Sequence, residues 1–277
     1  MGWAPPAALT QDHTPLDQWT AEARQGIAGL FTDIDDTLTT EGAITPDALQ
    51  ALGDLRSAGL HVIPITGRPV GWSEPFALAW PVDAIVAENG AVALVRGDDG
   101  RLRKLYQQPE AERRVNFERM QRVLARIERE IPGARRAEDS PGRETDIAID
   151  HSEFTQLPQA RIDEVVALMR SEGMTATVSS IHVNGWYGSH SKREGARWIV
   201  RQLLDEDLDA QLERWVYVGD STNDVLMFEH FPHSVGVANI ARFWDQLSHA
   251  PAYVTRGERG AGFAEVARAI LAARPGR

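Results

Sequence analysis

The sequence contains no cysteine among its 277 residues. Disulfide bonds, thiolate zinc sites and cysteine nucleophiles are therefore excluded. Basic residues are also scarce, since 29 Lys and Arg stand against 40 Asp and Glu and leave a formal net charge of −11. This charge argues against general nucleic-acid binding, because no positive field is available to hold a phosphate backbone. Any anion site must be built locally.

Long apolar segments are missing as well. No run of about 18 apolar residues occurs, so the sequence predicts no membrane-spanning helix. The N-terminal segment has neither a basic region nor an apolar stretch, which argues against a signal peptide. We therefore expect a cytoplasmic protein that does not act on membranes. Its composition, 43% hydrophobic and 25% charged, is typical of a globular chain with a sizeable core.

Short apolar runs that end in polar residues dominate both ends of the sequence. The first three are followed by Asp33-Ile34-Asp35-Asp36, by Thr66-Gly67-Arg68 and by Glu88-Asn89-Gly90. A fourth, near the C-terminal end, is followed by Gly219-Asp220-Ser221-Thr222-Asn223-Asp224. Helical patterns separate the runs, which predicts βαβ units and a parallel sheet. In such sheets ligands bind at the carboxyl ends of the strands.

The middle of the sequence has a different pattern, with a hairpin, a long amphipathic helix and alternating strands. We interpret residues 91–188 as an inserted α/β domain. The fold class is then α/β, with a Rossmann-like parallel-sheet core formed by residues 27–90 and 189–277. Residues 1–26 are interpreted as an N-terminal extension.

Several carboxylates are expected to meet at one edge of this sheet, chiefly Asp33, Asp35 and Asp220. Such groups repel each other unless a cation lies among them, and hard oxygen ligands suit Mg²⁺. A carboxylate beside bound Mg²⁺ can attack phosphorus. Taken singly, each motif has an ordinary explanation as a turn or helix cap, and Lys192 as a surface lysine. Their occurrence together, in this order, favours a catalytic site.

This set of motifs resembles the haloacid-dehalogenase phosphatase superfamily over about residues 27–272. The resemblance is strongest to the subclass with a large α/β cap after the third core strand, which includes sucrose-phosphate phosphatases, mannosyl-phosphoglycerate phosphatases, phosphomannomutases and Cof-like proteins. Its marks are Asp-x-Asp-x-Thr-Leu, Ile-Thr-Gly-Arg, Ala-Glu-Asn-Gly-Ala, a lysine after the insert and Gly-Asp-x-x-Asn-Asp. One departure is Asp36, where the family most often has glycine.

The resemblance implies specific roles for the acidic residues. Asp33 attacks phosphorus and binds Mg²⁺. Asp35 protonates the leaving oxygen and then deprotonates the hydrolytic water, while its backbone carbonyl binds the metal. Asp220 ligates the metal, and Asp224 supports it within the same metal-binding set.

The resemblance also implies roles for polar and basic residues. Thr66 hydrogen-bonds a phosphoryl oxygen, and Lys192 neutralises charge on the phosphoryl group and on the nucleophile. This division of work suits phosphoryl transfer, which needs mainly positioning and charge neutralisation. The other residues expected around the substrate are Gly67, Arg68, Asn89 and Asn223.

The strand 181–187 alternates between apolar and polar residues. His182, Asn184 and Trp186 fall on its polar face. In the resembled subclass the open face of the cap sheet covers the active site, so we expect His182 and Asn184 to bind the leaving group. A polar face with one tryptophan suits a polyol or sugar. A solvated sheet face or a dimer contact would give the same pattern.

Three functions are compatible with these features. The first is a Mg²⁺-dependent phosphohydrolase whose partner is a small phosphorylated metabolite, in particular a sugar phosphate. The second is a phosphomutase on the same scaffold, which returns the phosphoryl group to substrate before water attacks. The third is an inactive regulatory binder, although the intact set of motif residues argues against it.

Overall fold

The computed structural model describes residues 13–274. The strands are β1 (Gly29–Thr32), β2 (Thr39–Thr40), β3 (Ala43–Ile44), β4 (His61–Pro64), β5 (Ala84–Ala87), β6 (Val92–Arg96), β7 (Leu102–Tyr106), β8 (Arg135–Arg136), β9 (Ile147–Asp150), β10 (Thr175–Val178), β11 (His182–Trp186), β12 (Trp215–Gly219), β13 (His233–Gly236) and β14 (Tyr253–Val254). The helices are α1 (Ala21–Gln25), α2 (Pro46–Ser57), α3 (Val70–Ala79), α4 (Glu110–Glu130), α5 (Gln159–Ser171), α6 (Lys192–Leu204), α7 (Val225–His230) and α8 (Arg259–Ala272). Part of the predicted N-terminal extension, residues 1–12, lies outside the described residues.

A parallel sheet with the strand order β14-β13-β12-β1-β4 forms the centre of the molecule. Strand β5 joins its edge through a parallel bridge between Ile65 and Val86. Because these strands run in one direction, the residues that follow them share one edge of the sheet. The predicted fold class, α/β with a parallel-sheet core, is confirmed.

Both faces of this sheet are covered. Leu30 of β1 packs in a cluster with residues of α2 and α8, whereas the next residue, Phe31, packs in a second cluster with residues of α6 and α7. All four residues of β1 are consequently buried. This explains why the core strands read as continuous apolar runs and not as alternating ones.

A second sheet is antiparallel, with the order β10-β11-β9-β8. One of its faces packs on α4 and α5 through a cluster that includes Val183 and Ile149. The predicted hairpin is confirmed as β6–β7, and β6 also pairs with β5, so that hairpin extends the edge beside β4. The division into a core and an insert at residues 91–188 stays a prediction.

Within residues 13–274 we find no helix with the length and apolar character needed to cross a membrane.

Candidate active site

The predicted nucleophile, Asp33, continues directly from β1. Its backbone N–H donates to the carbonyl of Val218 at 2.8 Å, so the parallel ladder holds the residue beside the end of β12. The chain then turns, and the N–H of Leu38 donates back to the carbonyl of Ile34. Asp36 adopts a left-handed conformation with φ of 54° in this turn. The Asp33 and Asp35 side chains are both largely buried.

Three buried carboxylates meet at this sheet edge. Asp33, Asp220 and Asp224 each bring one oxygen within 4.8 Å of the others. Burial raises the pKa of Asp33 to about 7, although Lys192 acts in the opposite direction. Burial, reinforced by Asp224 and Asp33, also raises the pKa of Asp220 well above its usual range. The cluster therefore carries more negative charge than its surroundings stabilise.

One ammonium group opposes this charge. Lys192 begins α6, whose N-cap Ser191 accepts a hydrogen bond from the N–H of Glu194. The Nζ atom of Lys192 lies 3.0 Å from Asp33 Oδ1 and 2.7 Å from Asp224 Oδ1. Burial alone would lower the pKa of Lys192, but the two carboxylates outweigh it and raise the pKa. One positive charge is thus shared by two acidic partners.

The carboxylate of Asp224 is held by four donors. Its Oδ1 accepts from the Tyr217 hydroxyl at 2.5 Å and from Lys192. Its Oδ2 accepts from the backbone N–H groups of Asp220 at 3.0 Å and Ser221 at 3.1 Å. A carboxylate has about four lone-pair positions, so these four donors use all of its hydrogen-bonding capacity. Asp224 is fixed in place by the sheet edge.

Asp220 is held differently. Its Oδ2 accepts from Asn239 Nδ2 at 3.2 Å, but its Oδ1 is buried without a hydrogen-bond partner among residues 13–274. A buried carboxylate oxygen of this kind fits a metal ligand, because a cation would supply the missing interaction. Hard oxygen ligands are those that Mg²⁺ prefers. The residues present therefore fit a divalent cation beside Asp33 and Asp220.

Sequence reasoning missed Tyr217. It lies in β12, whose sequence indicates a short apolar strand, and it is fully buried. A buried tyrosine hydroxyl normally requires a hydrogen-bond partner. That requirement was the available signal, although it could not identify Asp224 as the partner.

The predicted phosphate-binding loop lies next to Asp33. The N–H of Ile65 donates to the carbonyl of Thr32 at 2.8 Å, so Thr66 follows β4 beside the end of β1. Thr66 is fully buried, and its Oγ1 accepts from the N–H of Arg68 at 3.0 Å. The N–H of Asn89 donates to the carbonyl of Thr66 at 2.9 Å. The ends of β1, β4 and β5 are thus brought together.

Arg68 makes a paired contact with Asp35. Its Nε lies 2.9 Å from Asp35 Oδ2 and its Nη2 lies 2.8 Å from Oδ1. The same guanidinium contacts Glu153 Oε1 at 2.7 Å and Asp139 Oδ2 at 3.3 Å. Glu153 and Asp139, which come from the middle of the chain, were not identified from the sequence. Arg68 therefore joins the sheet edge to the predicted insert.

The predicted leaving-group residues of β11 are buried against this loop. His182 Nε2 lies 2.8 Å from Glu153 Oε2. Asn184 Nδ2 donates to Asp146 Oδ2 at 3.1 Å, and its Oδ1 lies next to Gly67. Trp186, assigned to the same face, is buried in the cluster beneath α4 and α5. Contact of His182 and Asn184 with a leaving group stays a prediction.

The two remaining predicted residues, Asn89 and Asn223, contact polar side chains of loop residues. Asn89 Nδ2 is 3.4 Å from Asp146 Oδ2, and Asn223 Oδ1 accepts from Ser221 Oγ at 2.8 Å. Arg143, a residue of the predicted insert, donates to the carbonyl of Gly67 at 3.0 Å and to Asp146 at 2.8 Å. Gly67 is thus enclosed by polar side chains from the middle of the chain.

A cavity of about 550 Å³ opens beside Asp35. Its lining combines the sheet edge and the predicted insert, including Asp36, Arg242 and Arg259 on one side and Ser152, Glu153 and Phe154 on the other. Neither His182 nor Asn184 lines it. The cavity has the size of a small-molecule site.

Comparisons with known proteins identify a matching family and solved structures of the same fold. Residues 30–116 match a family model described as haloacid dehalogenase-like hydrolase. No curated protein matches the sequence significantly. The sucrose-phosphatase of Synechocystis sp. PCC6803, solved with sucrose and phosphate, is 18% identical with a TM-score of 0.62, and the match covers 88% of this chain and 97% of that one.

Two further solved structures have the same fold. A HAD/COF-like hydrolase from Plasmodium vivax is 17% identical with a TM-score of 0.65, over 91% of this chain and 99% of that one. The HAD subclass IIB sugar phosphatase BT4131 is 16% identical with a TM-score of 0.59, over 88% and 96%. The family match and the shared fold together confirm the resemblance that the motifs predicted, which is to the haloacid dehalogenase-like hydrolases.

Proposed function

We propose that the protein is a Mg²⁺-dependent phosphatase that hydrolyses a small phosphorylated metabolite, in particular a sugar phosphate, through a phosphoryl group carried on Asp33. The observation that carries this proposal is the buried cluster at the sheet edge. Asp33 lies there beside Lys192 and Asp220, and the Asp35 side chain lines the adjoining cavity. The family match to hydrolases supports it.

The first step would transfer the phosphoryl group to the protein. A carboxylate oxygen of Asp33 attacks phosphorus, the bond from phosphorus to the leaving oxygen breaks, and Asp35 gives that oxygen a proton. Lys192 and the Thr66 hydroxyl balance charge on the phosphoryl oxygens. When bound, Mg²⁺ would supply Lewis-acid stabilisation of the same oxygens, held by Asp33, Asp220 and the carbonyl of Asp35.

The second step would restore the protein. A water molecule attacks phosphorus, Asp35 takes its proton, and the bond to Asp33 breaks to release inorganic phosphate. In the structure Arg68 occupies both oxygens of Asp35. Arg68 must therefore release Asp35 before that carboxyl can reach a leaving oxygen, while its contacts with Glu153 and Asp139 remain available to it.

A sugar phosphate suits the cavity beside Asp35. The lining provides hydrogen-bonding side chains such as Ser152, Gln156 and Ser180, together with the exposed ring of Phe154. Hydroxyl-rich ligands need many directional partners and one apolar contact surface. The sucrose and sugar phosphatases with the same fold support this choice of substrate.

The test is a phosphate-release screen over phosphorylated metabolites and a small aryl phosphate, with and without Mg²⁺. We expect release that requires Mg²⁺ and falls at least 100-fold in Asp33→Asn, whose circular dichroism should match that of the wild type. A variant that keeps a tenth of the activity would contradict the proposal. Conversion of a sugar phosphate to an isomer without phosphate release would favour the phosphomutase alternative.

A further inference from the structure

We propose that the cavity beside Asp35 selects phosphate esters whose leaving alcohol carries no charge, and that Asp36 sets this selectivity by pairing with two of the cavity's three arginines, Arg242 and Arg259. The inference rests on the proposed phosphatase function and specifies its substrate class. Under this inference, a neutral sugar phosphate is a better substrate than a phosphorylated sugar acid or a bisphosphate.

Each arginine that lines the cavity already faces a carboxylate. Arg68 contacts Glu153 at 2.7 Å in addition to Asp35. Arg259 Nε lies 2.9 Å from Asp36 Oδ1, and Arg242 Nη2 lies 4.0 Å from Asp36 Oδ2. The three guanidinium groups are therefore engaged before a substrate arrives.

Acidic groups outnumber these arginines. The lining includes Asp35, Asp36, Glu41 and Glu153, against the three arginines. Glu41 is exposed and has no ion pair among residues 13–274. A second anionic group on the substrate would lose hydration on entering and would meet a carboxylate near each candidate cation. Such unpaired charge disfavours binding, whereas hydroxyl groups find donors and acceptors.

Asp36 is fixed in its position by the backbone. Its φ of 54° is uncommon for residues other than glycine but is tolerated by aspartate. Its carbonyl accepts from Asn239 Nδ2 at 3.0 Å. Asn239 Oδ1 in turn accepts at 2.8 Å from the N–H of Arg259, which is itself left-handed. Asn239 thus sets both members of the Asp36–Arg259 pair.

This arrangement gives Asp36 a purpose that a glycine at the same position could not serve. Glycine would adopt the same φ without strain but would leave Arg259 and Arg242 without their carboxylate. Those arginines would then be available to an anionic leaving group. The substitution Asp36→Gly therefore removes the charge while retaining the backbone conformation.

The experiment compares kcat/KM for glucose 1-phosphate and glucuronic acid 1-phosphate, which differ only in a hydroxymethyl group against a carboxylate. We expect the wild type to prefer the neutral substrate at least 10-fold. Asp36→Gly should reduce this ratio about 3- to 10-fold, the size expected for one charge several ångströms away in a partly screened site. Only the ratio of the two kcat/KM values is diagnostic. Asp36 lies next to the proposed acid Asp35, so its substitution affects the rate with both substrates.

Two further variants keep the test independent of folding. Glu41→Gln removes an exposed carboxylate of the lining and should shift the ratio in the same direction by a smaller factor. Glu229→Gln removes an exposed carboxylate of α7 outside the lining and should leave the ratio unchanged.

The outcomes separate this inference from the proposed function. Hydrolysis of both sugars with no preference for the neutral one overturns the charge selectivity and leaves the phosphatase intact. An unchanged ratio in Asp36→Gly and Glu41→Gln overturns the assignment of selectivity to these carboxylates. Failure to hydrolyse either sugar or an aryl phosphate overturns the proposed function and this inference together.

Discussion

Two acidic regions lie side by side in this protein and differ in how their carboxylates are paired. At the sheet edge, Asp33, Asp220 and Asp224 are opposed by Lys192. At the junction with the predicted insert, each buried guanidinium meets several carboxylates, as Arg143 does with Asp139 at 3.0 Å and Asp146 at 2.8 Å. The difference indicates that the sheet edge, where Asp220 Oδ1 has no partner among residues 13–274, can receive a cation, whereas the junction carboxylates are already paired with guanidinium groups.

Removal of the divalent cation, which tests the sheet edge, should have the largest effect on phosphate release. We expect excess chelator to abolish phosphate release and Mg²⁺ to restore it, because Asp220 Oδ1 at the sheet edge is buried without a hydrogen-bond partner among residues 13–274 and fits a metal ligand. Ca²⁺ should inhibit, since it takes more ligands at longer distances and spoils the geometry for attack. Chelated protein that keeps its full rate would contradict the account.

Substitution of Asp35, the proposed acid between the two regions, should have the next largest effect on the rate. Asp35→Ala should lower the single-turnover rate with a sugar phosphate about 100-fold or more, because the leaving oxygen loses its proton donor. An aryl phosphate has a better leaving group and should lose much less. Equal losses for both substrates would argue against the acid role.

Arg143→Met tests whether the junction is structural. Loss of one partner of a buried ion pair should lower the free energy of unfolding by about 3 kcal/mol. Burial already raises the pKa of Asp146 to about 7 with Arg143 present. Because that pKa lies above the unfolded value, stability from this group increases as the pH falls through it.

The loss of unfolding free energy in Arg143→Met relative to the wild type should therefore become smaller as the pH is lowered from 8 to 5, as measured by urea titration. An exposed control, Arg129→Met, should show neither effect. A deficit that does not depend on pH would show that Asp146 is not the group left without a partner.

Tyr217→Phe should give the smallest effect. The hydroxyl is one of four donors to Asp224, so its loss should weaken Mg²⁺ activation by about 3- to 10-fold and leave the fold intact. The readout is the Mg²⁺ concentration at half-maximal rate. A change in rate at saturating Mg²⁺ with no change in that concentration would argue against positioning through Asp224.

The sequence was most informative where function depends on local pattern. Apolar runs that end in Asp33, Thr66 and Asp220 predict a shared sheet edge, because strand direction follows from βαβ connection alone. The Asp36 conformation and the Tyr217 hydrogen bond were not predicted, since the first depends on a tight turn and the second on the packing of a neighbouring loop.

Contacts across the junction were the least predictable. Arg68 reaches Glu153 across 85 positions of the sequence, and no spacing rule relates them. Alternation correctly separated Val183 from His182 and Asn184, but it did not reveal that those polar side chains would be buried against the core. The alternation of residue types describes a single strand, whereas the burial of its side chains depends on the elements that pack against that strand.

The most direct measurement is a search for the phosphoryl group on Asp33. Enzyme in excess over a hydrolysed sugar phosphate is quenched in acid within milliseconds, reduced with borohydride and digested for mass spectrometry. We predict conversion of Asp33 to homoserine in the peptide that contains it, and none in Asp33→Asn. Complete turnover with an unmodified Asp33 peptide at every time, or a phosphoryl group on another residue, would contradict the account.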